Sequence, residues 1–235
     1  MDDVQCVVFD IDDTLYLERD YVRSGFRAVG HWAAEQLGIP DFYERAWQAF
    51  LQGERQTIFN RVLAETGHEA KPDLITRMIS VYRRHVPEIT LLDDARKCLD
   101  ALKGHRRMAV VTDGPLESQQ AKAARLGLAG WIDPILFTAG LGPDFGKPDP
   151  RSFQRVESET RYSGPQCIYV ADNPHKDFQG PASLGWHCLR IRRPEGLHHD
   201  VPLDSGDHDP ENIGELDTLE QLPAWLGLKP SPGDP

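Results

Sequence analysis

The stretch "VVFDIDDTL", residues 7 to 15, sets Asp10, Asp12 and Asp13 within four positions, directly after an apolar run. Polar groups follow apolar stretches again at Thr112-Asp113-Gly114 and at Asp172-Asn173, with Asp177 close behind, and Gly146-Lys147-Pro148 adds a lysine. Carboxylates are hard oxygen ligands, and a small set of them suits Mg²⁺, which keeps several waters and meets substrate phosphate. A lysine ammonium and a threonine hydroxyl donate to phosphate oxygens. Glycine after Thr112-Asp113 leaves a backbone N–H free to approach an anion. The inventory is that of a magnesium-assisted phosphoryl-transfer site.

These residues need elements that bring them together. Val4–Phe9 reads as a strand covered on both faces. Residues 17–90 then carry helical periodicity: Val22, Phe26, Val29, Ala33 and Leu37 recur at three- and four-residue steps, and Gly38-Ile39-Pro40 stops that helix. Further helices are expected over 42–51, 55–65 and 73–85. After Pro87 strands and helices alternate. Strands are expected at 108–112, 135–138, 168–171 and 187–191, and helices at 95–103, 117–126, 151–160 and 177–184. Ile213 and a helix over 218–226 close the fold. Such alternation argues for a parallel sheet wrapped by helices, with the polar clusters at the carboxyl ends of its strands, where such sheets place their sites.

The same residues, in this order, resemble the haloacid dehalogenase (HAD) superfamily of hydrolases. Its first motif, an apolar run followed by D-x-D-x-T, is matched by Asp10, Asp12 and Thr14, and its second, a strand ending in Thr or Ser, by "MAVVTDG" with Thr112. Its lysine motif is matched by "FGKPDPRSF" with Lys147, and its acidic motif by "YVADNPHKDFQG" with Asp172 and Asp177. The resemblance implies an α/β fold: a Rossmann-like parallel sheet core, with helices on both faces, built from 1–16 and 91–228. An all-helical (C1-type) cap is then inserted at 17–90, and 229–235 reads as a disordered tail. It also implies roles. Asp10 is the nucleophile that forms an aspartyl-phosphate, and Asp12 the acid and base. Mg²⁺ is held by Asp10, the Asp12 backbone carbonyl and Asp172, with Asn173 and Asp177 as outer-shell candidates. Thr112, Lys147 and the Asp113–Gly114 backbone take the phosphoryl oxygens. Since an acid must hold its proton near neutral pH, the expectation is a raised pKa for Asp12 and an ionised Asp10.

Each polar residue also has a plainer reading. Asp13 reads as a turn or capping residue, and Asp113 either caps the following helix or lines the site. Asp177 could cap the helix after it. His198-His199-Asp200 and Asp207-His208-Asp209 read as solvated loop charge rather than a metal site, and the five tryptophans as core. Glu18, Arg19, Tyr21 and Arg23 lie close enough in sequence to the first motif to touch a leaving group.

Composition narrows the partners. With 26 Lys+Arg against 37 Asp+Glu in 235 residues the net charge is -11, and no basic cluster stands out, so a nucleic-acid partner is not expected. The four cysteines lack C-x-x-C spacing and read as small buried hydrophobes. The chain opens Met-Asp-Asp without the basic start and apolar run of a signal peptide, and no window approaches the roughly 18 apolar residues of a membrane span. A cytoplasmic enzyme acting on a small-molecule phosphate ester is the expectation, with no oligomeric state implied. A sugar phosphomutase is the nearest alternative. A haloacid dehalogenase is disfavoured because such enzymes lack the acid at the position of Asp12, and a receiver-like phosphoacceptor domain because it lacks the helical insertion.

Overall fold

The computed structural model of the protein describes residues 3–203, 209 and 212–228. The chain divides into two compact units, one made of residues up to Arg19 together with those from Thr90 onward, the other of Asp20–Ile89. The 229–235 segment and the Asp207-His208 pair lie outside the described residues.

The first unit holds six parallel strands: β1 (Cys6–Phe9), β2 (Arg107–Thr112), β3 (Ile135–Phe137), β4 (Cys167–Ala171), β5 (His187–Ile191) and β6 (Ile213–Leu216). Their order is β3-β2-β1-β4-β5-β6. β1 and β4 are buried at every residue, as their unbroken apolar sequences require of strands covered on both faces. The chain runs outward from β1 through β2 to β3, then returns to β4 on the other side of β1. The order therefore reverses next to β1, which is where open parallel sheets place their binding crevice. Register does the rest. Phe9 pairs with Val110 on one side and Val170 on the other, so Asp10, Thr112 and Asp172 all emerge at one end of adjacent strands.

Helices α5 (Asp93–Leu102), α6 (Leu116–Arg125), α7 (Thr138–Leu141), α8 (Arg151–Thr160), α9 (Gln179–Ser183) and α10 (Leu222–Trp225) fill the connections. One core cluster joins alternate residues of the strands to the α8 side chains Phe153 and Val156 and to Phe178 and Trp186. All four cysteines are free and buried. Trp186 is in the core, but Trp225 is 40% exposed, against the expectation for the tryptophans.

The unit Asp20–Ile89 consists of helices: most of α1 (Glu18–Leu37), then α2 (Phe42–Leu51), α3 (Ile58–Glu65) and α4 (Pro72–Arg84). Its core is aromatic, with Phe26 edge-on to Phe50 and Phe59 at 6.2 and 6.0 Å and tilted against Tyr82 at 5.8 Å. Helix α3 starts three residues later than periodicity predicts. Arg55 turns back instead and donates to the carbonyl of Phe50 at the end of α2, which caps that helix.

Two short elements escape the sequence reading. α7 is a single turn after β3, and β6 carries only Ile213 and Leu216 as apolar residues, paired with Cys188 and Ile191. α9 is shorter than expected because Asp177 is drawn into ion pairing and Pro181 lies inside the helix. No helix among the described residues is long and apolar enough to cross a membrane.

Close backbone packing holds the lysine loop against α9. A Cβ on Gly180 would lie 2.6 Å from the carbonyl oxygen of Pro148 and 2.9 Å from the Phe153 ring. Gly180→Ala is therefore expected to cost about 1–3 kcal/mol by overpacking, read as a lowered urea midpoint with an unchanged slope.

Candidate active site

Asp10 continues β1 as its N–H donates to Val170 O at 3.0 Å, and the chain then turns tightly, with Thr14 and Leu15 N–H groups returning to the Ile11 carbonyl. Asp13 sits in this turn at φ 48. Its carboxylate accepts from the N–H of Glu18, at the start of α1, at 2.8 Å and from the N–H of Leu197 at 2.7 Å. This is the capping role its sequence position suggests, and it also ties the segment after β5 to the turn after β1.

Lys147 arrives from between α7 and α8 and is almost fully buried. Its Nζ lies 3.0 Å from Asp10 Oδ1 and 2.6 Å from Asp177 Oδ1, and donates to Tyr169 Oη at 2.9 Å. Tyr169 in turn donates to Val111 O at 3.1 Å. Asp113 fixes the lysine loop: it accepts the Lys147 N–H at 3.1 and 3.2 Å and the Thr138 hydroxyl at 2.7 Å. It does not cap α6, which begins after Pro115 with no side-chain cap. Asp177 likewise gives α9 no cap; its second oxygen accepts the Asn173 N–H at 2.9 Å, closing the turn that carries Asp172. The Asn173 side chain accepts from the His175 N–H within that turn.

Asp10, Asp172 and Asp177 each offer a carboxylate oxygen, all within 4.8 Å of one another. Three buried carboxylates against the single ammonium of Lys147 leave excess negative charge, and the ionisation of the group reflects it. Burial, with Lys147 opposing and Asp177 adding, pushes Asp10 up to about 6. Burial and then the charges of Asp177 and Asp10 hold Asp172 well above the carboxylate range. An all-oxygen, over-negative, buried donor set fits a hard divalent cation such as Mg²⁺.

Asp12 behaves in the opposite way. Burial pushes it up, but the charge of Lys122 and hydrogen bonds from Lys122, Tyr16 and Gln119 outweigh burial and hold it below its ordinary value. The expected split, with Asp12 raised and Asp10 ionised, is thus inverted in the metal-free protein. The reason is partnership: Asp12 has its own lysine, whereas Asp10 shares one with another carboxylate.

Thr112 is buried, and its hydroxyl donates to Gln119 Oε1 at 3.2 Å. Gly114 takes φ 132 beside it. The structure therefore brings Asp10, Lys147, Asp172 and Asp177 into direct contact range, with Thr112, Asp113 and Asp12 joined to them through hydrogen bonds or the strand ends. Sequence reasoning missed four contributors, Tyr16, Gln119, Lys122 and Tyr169, and read a fifth, His198, as solvated loop charge. His198 Nδ1 lies 2.9 Å from Asp172 Oδ2, so this half of the His-rich loop is not simple solvated charge. The available signals were faint: a Gln and a Lys three apart on the buried face of α6, and Arg190 within an apolar strand. Arg190 donates to the carbonyls of Asp172 and His198 at 3.2 and 2.7 Å, which seats that loop. Arg19, near the start of α1, pairs with Glu195 at 3.3 Å.

Comparison with known proteins adds an independent line. A family model described as haloacid dehalogenase-like hydrolase matches residues 4–185. The chain is 25% identical over 230 residues to a glyceraldehyde 3-phosphate phosphatase of Methanopyrus kandleri, covering 93% of this chain and 95% of that one. It is 24% identical to a ribulose-1,5-bisphosphate 5-phosphatase of Halopiger xanaduensis, covering 91% and 98%. Among solved structures, YfnB from Bacillus subtilis, bound to magnesium, superposes with a TM-score of 0.67 at 21% identity over 96% of this chain and 99% of that one.

The raised pKa of Asp10 carries a stability prediction for the metal-free protein. A carboxyl with a folded pKa of about 6 keeps its proton when the unfolded chain, near 4, has lost it. Wild-type stability is therefore lost as pH rises through that window, and an amide at position 10 escapes the loss. Metal-free Asp10→Asn is expected to match wild type near pH 4 and to exceed it by up to ~3 kcal/mol above about pH 7, from urea unfolding at each pH.

Proposed function

This chain belongs to the haloacid dehalogenase-like hydrolases, and from that premise we propose that it is a Mg²⁺-dependent phosphatase of a small phosphorylated metabolite, with Asp10 as nucleophile. The observation that carries the reading is the convergence on Asp10, at the end of β1, of Lys147 from the loop between α7 and α8 and of Asp172 and Asp177 from the turn after β4. The names of relatives that match over nine-tenths of the chain support a sugar phosphate of a few carbons as substrate.

In this reading the Asp10 carboxylate attacks phosphorus. A carboxylate–phosphorus bond forms as the bond to the leaving oxygen breaks, and Asp12 gives that oxygen its proton. Asp12, now a carboxylate, takes a proton from water as the water attacks phosphorus, and the Asp10–phosphorus bond breaks to release inorganic phosphate. Its pairing with Lys122 favours the form that this second half needs. Lys147, Thr112 and the Asp113–Gly114 backbone hold phosphoryl oxygens where negative charge gathers. Asp10, the Asp12 carbonyl and Asp172 would hold Mg²⁺, which when bound neutralises charge between nucleophile and phosphate. Tyr169 and Asp177 keep the Lys147 ammonium aimed at Asp10.

Hydrolysis of p-nitrophenyl phosphate is expected to require Mg²⁺, to stop with chelator, and to fall at least ~10³-fold in Asp10→Asn. Full activity in that variant would remove Asp10 as nucleophile. A panel of sugar phosphates, nucleotides and small phosphorylated acids should single out a sugar phosphate, with free phosphate as product. Turnover that requires a catalytic sugar bisphosphate and releases no phosphate would instead identify a phosphomutase.

A further inference from the structure

The carboxylate of Asp12 is held by three side chains at once. Lys122 Nζ donates to Oδ1 at 2.7 Å and to Oδ2 at 2.9 Å. Gln119 Nε2 donates to Oδ2 at 2.9 Å, and the Tyr16 hydroxyl donates to Oδ1. Lys122, Gln119 and Tyr16 are all buried. Placing an ammonium inside the protein is costly, and an apolar residue would fill the same space at lower cost. So specific a clamp on one carboxylate calls for a reason beyond packing.

Gln119 adds a second link. Its amide nitrogen must face Asp12, because a carboxylate only accepts, so its oxygen must face Thr112, whose hydroxyl donates to it at 3.2 Å. One amide thus joins the acid/base residue to the threonine of the phosphoryl-oxygen set. Gly114 makes the arrangement possible: a Cβ there would lie 2.7 Å from Gln119 Nε2. Any other residue at 114 would displace the amide. This gives the glycine a task that its approach to an anion does not exhaust.

We propose that Gln119 and Lys122 are positioning residues for proton transfer, fixing the Asp12 carboxylate in place and in register with Thr112. The phosphorus and the leaving oxygen are then served by groups that share one rigid frame across β1, β2 and α6. The proposal rests on the reading of Asp12 as the acid that protonates the leaving group, and the experiment separates the two.

Under saturating Mg²⁺, kcat/KM is measured for glycerol phosphate and for dinitrophenyl phosphate. This parameter reports steps through formation of the phosphoenzyme, so later attack by water does not enter it. An alkoxide needs a proton to leave, whereas dinitrophenolate does not. In Lys122→Met and Gln119→Leu the alkyl ester is expected to lose roughly 10- to 100-fold, and the aryl ester less than about threefold. Asp12→Asn should show the same selectivity more strongly. An equal loss on both esters in the two positioning variants would mean a structural role only and overturn the proposal. So would an unchanged or increased rate on the alkyl ester. If Asp12→Asn itself fails to discriminate, the acid role of Asp12 falls instead. Gln119→Leu leaves the Lys122 pair intact and serves as the independent variant should Lys122→Met not fold, with thermal melts and near-UV circular dichroism reporting the fold of each.

Discussion

The buried ammonium of Lys147 is the interaction on which the catalytic unit depends. It sits between Asp10 and Asp177, 3.0 and 2.6 Å away, with the Tyr169 hydroxyl as a third partner. Without it, carboxylates from β1 and from the turn after β4 would face each other in a region of low dielectric, where unpaired charge is expensive. The pairing is long-range: 137 residues separate Lys147 from Asp10. It forms only when β1 is central and β2 and β4 flank it in register. The sheet order and the ion pair therefore require each other. Asp113, which adds its own negative charge near the ammonium and pairs with Lys176 at 3.6 Å, holds the backbone of the lysine loop, and Tyr169 fixes where the lysine points.

A second set of ties comes from two buried arginines, Arg190 within β5 and Arg193 just after it. Arg190 reaches the carbonyls of Asp172 and His198, while Arg193 donates twice to the Thr14 carbonyl and pairs with Asp94. Asp94 also accepts from Thr218 and from the Leu219 N–H, so the start of α5, the turn after β1 and the last helical segment share one knot. Guanidinium suits this work because its planar fork can bond several carbonyls without a matching set of carboxylates. Through these contacts the turns bearing Asp10 and Asp172 are braced from a segment that contributes no motif residue.

How much of this was legible in the chain follows from the range over which each feature is decided. Strands β1, β2, β4 and β5 were readable because burial on both faces forces largely apolar runs, interrupted in β5 by Arg190. The aspartates at β1 and β4, Thr112 and Lys147 stood out as polar residues where such runs end or beside a Gly-Lys-Pro turn. β6 and α7 were not readable, since two apolar residues or a single helical turn make no period. Lys122 escaped for a different reason. A lysine on a helix is ordinary in sequence, and only its meeting with Asp12, 110 residues away, makes it unusual. The ionisation of Asp12 failed on the same ground: sequence names the neighbouring acids but not the cations that the fold will set beside each.

That failure explains the crowding of acids after β1. Two aspartates separated by one residue point, in a tight turn, toward different surroundings. Asp12 meets Lys122, Gln119 and Tyr16, which together hold it ionised. Asp10 meets a lysine already engaged by Asp177, with Asp172 adjacent, and its charge is in excess. Asp13 goes a third way, into backbone N–H groups of two separate segments. The excess around Asp10 is what a divalent cation would balance, leaving Lys147 and the phosphoryl-oxygen donors to receive a phosphate that the cluster alone would repel. A protein of net charge -11 has no long-range attraction for an anion to spare. Binding must therefore come from this local arithmetic, within the roughly 8 Å over which charges act in physiological salt.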